Sequence, residues 1–179
     1  MKINARKFSE IKKVLLDPNA RGPRWTYFMI RNLPFSSTKE IRCDLTIIPP
    51  YHLGREFNKT FGHIHRGGES ETYKVLLGNA LFVLQEMRDE NHIEKILVCK
   101  AKRGDRITIP GEYYHESINR GRTPLILVNW LKTGTENDYS LIEKRCGFGY
   151  YVVANGDDKE FELVKNANYK EVPKAKQLT

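Results

Sequence analysis

Cysteine is scarce in this chain: Cys43, Cys99 and Cys146 are the three among 179 residues, far apart and without a Cys-x-x-Cys pair. So sparse and odd a count argues against a disulfide framework and fits a reducing compartment. Cys43 and Cys99 sit in strand-like runs and are expected to be ordinary buried thiols. Long apolar runs are missing too. Leu125-Ile126-Leu127-Val128 is typical of the longest, far below the roughly 20 residues a membrane-spanning helix needs. The opening MKINARKFSEIKKVLL mixes charge into its apolar positions and shows no signal-like region, so a cytoplasmic location is expected. Repeats, linkers and low-complexity stretches are absent, and one domain over 1–179 is expected, with its core about 25–165.

Charge is not scarce. The formal net charge is +8, with Lys and Arg spread along the chain and a modest surplus at both ends. No RNP-like, zinc-finger or helix-turn-helix signature accompanies it. Most of that charge is therefore read as a solvated surface, with no nucleic acid and no membrane partner expected. The field also suits a small anionic metabolite such as a phosphorylated one.

The apolar spacing of Phe8, Ile11, Val14 and Leu15 marks one face of a short N-terminal helix, ended by Asp17-Pro18 and Gly22-Pro23. From Trp25 the texture changes. Runs of four to eight residues rich in Val, Ile, Leu and Tyr alternate with turn residues. Strands are expected at 25–32, 41–48, 72–77, 80–86, 93–100, 106–109, 115–119, 125–130 and 148–154. A last hairpin around Asn155–Asp158 pairs 150–153 with 161–164, and a small helical segment is expected near 136–144. Many short strands with close turns mean an all-β antiparallel barrel or sandwich.

Five histidines are present, and His63 and His65 stand two apart. In a strand, residues i and i+2 project to one face, so both imidazoles would aim at one point, a geometry suited to a metal ion. A carboxylate follows at Glu69 or Glu71. Further on, Gly104, Pro110-Gly111 and His115 outline a hairpin that can bring a third imidazole beside the first pair. Three imidazoles and one carboxylate leave two positions open on a six-coordinate ion, where a substrate can bind. His52 and His92 lie in loop-like surroundings and are expected at the surface.

These motifs resemble the two cupin motifs. Glu71 is followed after six residues by Gly78, and Gly104, Pro110, His115 and Asn119 match the second motif's spacing. The resemblance implies a cupin jelly-roll barrel with a metal held by His63, His65, Glu71 and His115. Glu69 has the commoner distance from His65 and stays the alternative ligand. A narrower resemblance, covering most of the chain, is to the archaeal-type, cupin glucose-6-phosphate isomerases. Thr60-Phe61-Gly62-His63-Ile64-His65 followed by Glu71-Thr72-Tyr73 is similar to their Thr-x-Gly-His-x-His and Glu-x-Tyr. Leu45–Pro49, Gly54-Arg55-Glu56-Phe57, Asn137-Asp138-Tyr139 and the stretch from Glu143 to Phe148 resemble further family segments.

The resemblance implies a metal-dependent interconversion of glucose 6-phosphate and fructose 6-phosphate, by a hydride shift or through a cis-enediol. It implies one divalent ion, Fe(II) first, with Mn, Ni, Co or Zn as alternatives, and a homodimer. Glu71, Tyr73 and Tyr139 are the implied catalytic residues. Thr46, Thr60, Gly62 and Tyr27 are implied for the substrate and its phosphate. No basic phosphate-binding residue is named, although Arg55 and Lys59 are near in sequence. Three departures stand out: a His65–Glu71 gap one residue shorter than the family form, Asn137 in place of a histidine, and a different run between Pro110 and His115. Rival readings are another metal-dependent cupin enzyme, such as a dioxygenase or a different sugar isomerase, and a non-enzymatic sugar-binding cupin.

Overall fold

The computed structural model describes residues 2–34, 37–155 and 160–178. In chain order the strands are β1 (Lys2–Lys7), β2 (Trp25–Arg31), β3 (Ile41–Ile48), β4 (His52–Leu53), β5 (Glu56–Phe57), β6 (Ile64–His65), β7 (Glu71–Leu77) and β8 (Asn79–Asp89). They continue as β9 (His92–Lys102), β10 (Arg106–Ile109), β11 (Tyr113–Asn119), β12 (Leu125–Lys132), β13 (Asn137–Asp138), β14 (Tyr150–Asn155), β15 (Glu160–Lys165) and β16 (Lys176–Leu178). The helices are α1 (Phe8–Ile11), continued by a 3₁₀ turn over Lys12–Val14, and α2 (Ser140–Lys144).

A six-stranded sheet runs β1-β2-β3-β12-β7-β10, and a four-stranded one runs β11-β8-β9-β16. Smaller sheets, β15-β14-β5-β4 and β13-β6, complete the jelly roll. The core cluster draws on both large sheets, including Val75 and Leu127 from one and Phe82, Val98 and Ile118 from the other. Period-2 alternation decides what faces inward. On β7 the buried residues are Glu71, Tyr73 and Val75, every second one. Register then aligns rows across the sheet: Tyr73 lies opposite Asn129, which lies opposite Asp44, and Met29 lies opposite Thr46.

The long strands and the short N-terminal helix match the sequence pattern. Ile11, Val14 and Leu15 are buried, and Phe8 packs against the core. Helix α1 starts only at Phe8 because Glu10 reaches back to accept the Lys7 backbone N–H at 2.8 Å, a capping contact. The second helical segment is confined to Ser140–Lys144. Asp138 accepts both the backbone N–H (2.9 Å) and the hydroxyl (2.6 Å) of Ser140, so the helix begins after it. Asn137 and Asp138 pair instead with His65 and Ile64. The last hairpin is present as β14–β15, with Tyr151 opposite Val164. Gly156, Asp157 and Asp158 of its expected turn lie outside the described residues.

Strands β1 and β16 extend the sheets at the two chain ends. β1 pairs antiparallel with β2, and β16 lies parallel to β9. Ile3 is 67% exposed and all three residues of β16 are exposed. Backbone ladders rather than apolar burial hold them, which is why no hydrophobic period announces them.

Candidate metal centre

His65 lies in β6, and His63, just ahead of it, forms an isolated bridge to His115 of β11. The two backbones exchange hydrogen bonds: His63 N–H to the His115 carbonyl at 3.1 Å, and His115 N–H to the His63 carbonyl at 2.9 Å. Gly62 makes the turn into this segment at φ 82°, and a Cβ there would strike the Phe148 ring. Only glycine meets both demands without strain. Strand β7 brings Glu71 from the opposite sheet.

The result is a cage. One donor atom from each of His63, His65, Glu71 and His115 lies within 4.8 Å of all the others. His65, Glu71 and His115 are buried. His63 Nε2 is 3.3 Å from His65 Nε2, and Glu71 Oε2 is 3.1 Å from His115 Nε2 and 3.6 Å from His65 Nε2.

The chemistry of the donor set tests whether a cation fits. His65 Nδ1 faces the Glu69 carbonyl at 2.8 Å, and His115 Nδ1 faces the Tyr113 carbonyl at 3.3 Å. With its proton on Nδ1, each ring turns an Nε2 lone pair toward the centre, the form in which an imidazole ligates a metal. Burial, reinforced by the positive fields of the neighbouring histidines, Arg31 and Arg6, holds His63 well below the usual imidazole range, so it stays neutral. Burial alone would raise the Glu71 carboxyl. Its hydrogen bond to His115 and the fields of His115 and His65 outweigh that and keep it lowered, hence ionised. Lone pairs facing one another in a dry site are satisfied by a cation, and nitrogen–oxygen donors of this kind suit a divalent transition metal.

Of the two acidic candidates, Glu71 supplies the carboxylate. Glu69 contributes its main-chain carbonyl to His65, while its side chain turns toward Lys132 at 3.6 Å. It precedes β7, so the two do not share a strand face.

Beside the cage lies a partly open cavity of about 50 Å³. The expected substrate residues Tyr27, Thr46, Thr60 and Gly62 line it, as do Tyr73 and Tyr139. Some are also structurally committed. Tyr27's hydroxyl accepts the Phe61 backbone N–H at 3.3 Å, and Thr60's hydroxyl accepts from Ser117 N–H at 2.9 Å. Burial, with Glu71 close by, pushes the Tyr73 phenol well above its usual range. Asn137, where the resemblance implies a histidine, donates to the Tyr139 hydroxyl at 3.1 Å.

The two basic residues near in sequence are committed elsewhere. Lys59 is buried between Glu56 (3.0 Å) and Glu116 (3.4 Å), and Arg55 is exposed, 3.9 Å from Glu162. His52 is exposed, and His92 pairs with Asp89.

Residues missed from sequence complete the wall. Asn129 donates to Glu71 Oε1 at 2.5 Å, fixing the carboxylate. Arg31, Arg42, Asp44 and Met29 also line the cavity. A signal existed for one of them: Asn129 is the single polar residue in the run from Leu125 to Leu131.

A family model described as glucose-6-phosphate isomerase matches residues 5–171. Among curated proteins, the glucose-6-phosphate isomerase of Thermococcus kodakarensis is 28% identical over 127 residues, 70% of this chain and 63% of that protein. That of Pyrococcus abyssi is 28% identical over 126 residues, 70% of this chain and 62% of its own length. The matched region thus spans less than two thirds of these relatives. Among solved structures, oxalate oxidase in complex with the substrate analogue glycolate aligns with a TM-score of 0.53 at 16% identity, over 76% of this chain and 59% of that one. Peruvianin-I from Thevetia peruviana latex aligns at 0.52 and 14%, over 71% and 77%. These structural likenesses concern the fold alone, the cupin jelly roll.

Proposed function

The chain belongs to the glucose-6-phosphate isomerase family, and from that premise we propose that it interconverts glucose 6-phosphate and fructose 6-phosphate with one bound divalent metal ion. The observation that carries this reading is the cage of His63, His65, Glu71 and His115 opening onto a cavity lined by hydroxyl-bearing side chains. Iron(II) is the proposed ion, with Mn, Ni, Co or Zn able to occupy the same nitrogen–oxygen set.

The reaction moves one hydrogen between C1 and C2 while their oxygens exchange carbonyl and hydroxyl character. When bound, the ion supplies Lewis acidity at those two oxygens. The chain supplies the rest. Glu71 is the proposed proton-shuttling carboxylate, held in place by Asn129. Tyr73 and Tyr139 offer phenolic O–H groups for substrate hydroxyls. Thr46, Thr60, the Gly62 amide and Tyr27 are the proposed neutral partners of the substrate and its phosphate, hydroxyl and N–H groups being suited to phosphate oxygens.

The same reading takes residues 1–179 as one cupin domain, supported by β1 and β16 each joining a large sheet. It also takes the protein as a cytoplasmic homodimer acting on a small sugar phosphate, with neither nucleic acid nor membrane as partner. Among the described residues no helix is long and apolar enough to cross a membrane.

The test is turnover of fructose 6-phosphate by metal-loaded protein, read through coupled oxidation of the glucose 6-phosphate formed. Absence of turnover with Fe, Mn, Ni, Co and Zn each supplied would remove the isomerase reading.

A further inference from the structure

The neutral partners proposed for the phosphate leave its charge unmatched. The cavity wall itself holds two guanidinium groups, Arg31 and Arg42. Strand alternation puts them there: Tyr27, Met29 and Arg31 share one face of β2, and Arg42, Asp44 and Thr46 share one face of β3.

The nearby cations differ in their commitments. Arg42 Nε donates to Asp44 Oδ2 at 3.0 Å, and Asp44's other oxygen accepts the Asn32 backbone N–H at 2.8 Å. Arg6 donates to the Tyr27 hydroxyl at 3.2 Å and to Glu10 at 3.0 Å, while its guanidinium packs 5.4 Å from the Phe61 ring centre and 5.5 Å from that of Tyr139. Lys59 is sealed between two carboxylates. Arg31 has no carboxylate within 4.0 Å among the described residues; its contact is the Met29 sulfur at 3.9 Å. The wall therefore sets two guanidinium groups against the carboxylates of Asp44 and Glu71. Asp44 is bound to Arg42 and Glu71 belongs to the cage, so Arg31, half-buried rather than fully solvated, is the cation without a carboxylate of its own among the described residues.

We propose that Arg31 is the charge partner of the substrate's phosphate and sets the preference for phosphorylated over neutral sugars. This rests on the sugar-phosphate reading above and adds the cation it lacked. Sheet order supports the placement. From Glu71 on β7 the sheet passes through β12 and β3 to β2, three steps of about 4.8 Å, or roughly 14 Å. A six-carbon sugar phosphate with its C1 end at the cage, together with the long Arg31 side chain, has the reach to span that distance. A guanidinium can then present two parallel N–H donors to phosphate oxygens, which no lysine reproduces.

The experiment compares metal-loaded wild type, Arg31→Met, Arg31→Lys and the surface control Arg55→Met. With fructose 6-phosphate, Arg31→Met is expected to raise KM roughly 10- to 100-fold, the worth of a charge-assisted contact, with kcat within about 3-fold. Arg31→Lys recovers part of that loss, and Arg55→Met matches wild type. A KM unchanged in Arg31→Met while wild type is active overturns the assignment. Calorimetric titration with inorganic phosphate judges Arg31 separately from turnover. Binding by wild type that Arg31→Met loses supports it even if the isomerase reading has fallen. Equal binding by both, or none by wild type, overturns it.

Discussion

His63 and His115 are bonded backbone to backbone, each donating its N–H to the other's carbonyl, and their rings stand 4.4 Å apart centre to centre. A side chain on either residue is thus aimed by a ladder rung rather than by its own rotamer alone. Preorganisation of this kind keeps a cage in shape between binding events.

Glu71 and Glu69 are separable by experiment. Glu71→Gln removes the anionic donor from the cage, and more than about 100-fold loss of metal affinity is expected, exceeding what supporting residues usually cost. Glu69→Gln leaves in place the main-chain carbonyl that holds His65. It is expected to retain metal and most activity. Elemental analysis after dialysis, beside the coupled assay, reads both. Equal losses in the two variants would reassign the ligand.

Asn129 is the residue whose removal should be felt through another. Its amide donates to Glu71 Oε1 at 2.5 Å, and both side chains are buried. Asn129→Leu keeps the volume and deletes the donor. Metal affinity or kcat should fall about 10- to 100-fold, the range for outer partners of metal ligands, while the fold persists. Asn129→Asp is not a rescue, because it sets a second carboxylate against Glu71. A metal titration of Asn129→Leu indistinguishable from wild type would refute the positioning role.

Lys59 is 1% exposed, with Glu56 and Glu116 equally buried around it. Glu56 also accepts the Leu16 backbone N–H at 2.6 Å, tying the N-terminal segment to the barrel. Lys59→Met strands two buried carboxylates, and removing one partner from such a group costs about 3–5 kcal/mol. For a chain of this size the thermal midpoint should drop by roughly 10 °C or more. Adding Glu56→Gln and Glu116→Gln to Lys59→Met should restore much of it. Thermal unfolding followed by circular dichroism checks both; an unshifted midpoint in the single variant would mean the charges are already neutralised otherwise.

What could be read from the sequence was what burial had patterned. Strands such as Ile41–Ile48 and Arg106–Ile109 match their expected bounds because apolar side chains recur along them between clear turn signals. Strands β1, β16 and the two-residue β4, β5, β6 and β13 are held by backbone pairing and carry no such pattern. The same division runs through the site. The cage residues have a fixed spacing that the chain displays openly. Asn129 and Arg31 owe their places to register between strands that are neighbours only in space, and pairing register is not written in either strand alone.

The hairpin β8–β9 occupies the chain between Glu71 and His115, and β11 meets His63 while lying along β8, with His115 opposite Leu84. The order of assembly follows. His63, His65 and Glu71 are near one another on any stretch of chain, but the fourth donor is delivered only after a long loop has closed and an entire hairpin has formed, which is the slow class of event in a folding reaction. A chain that has not yet closed this loop therefore holds three of the four cage donors near one another, and one that has closed it holds all four.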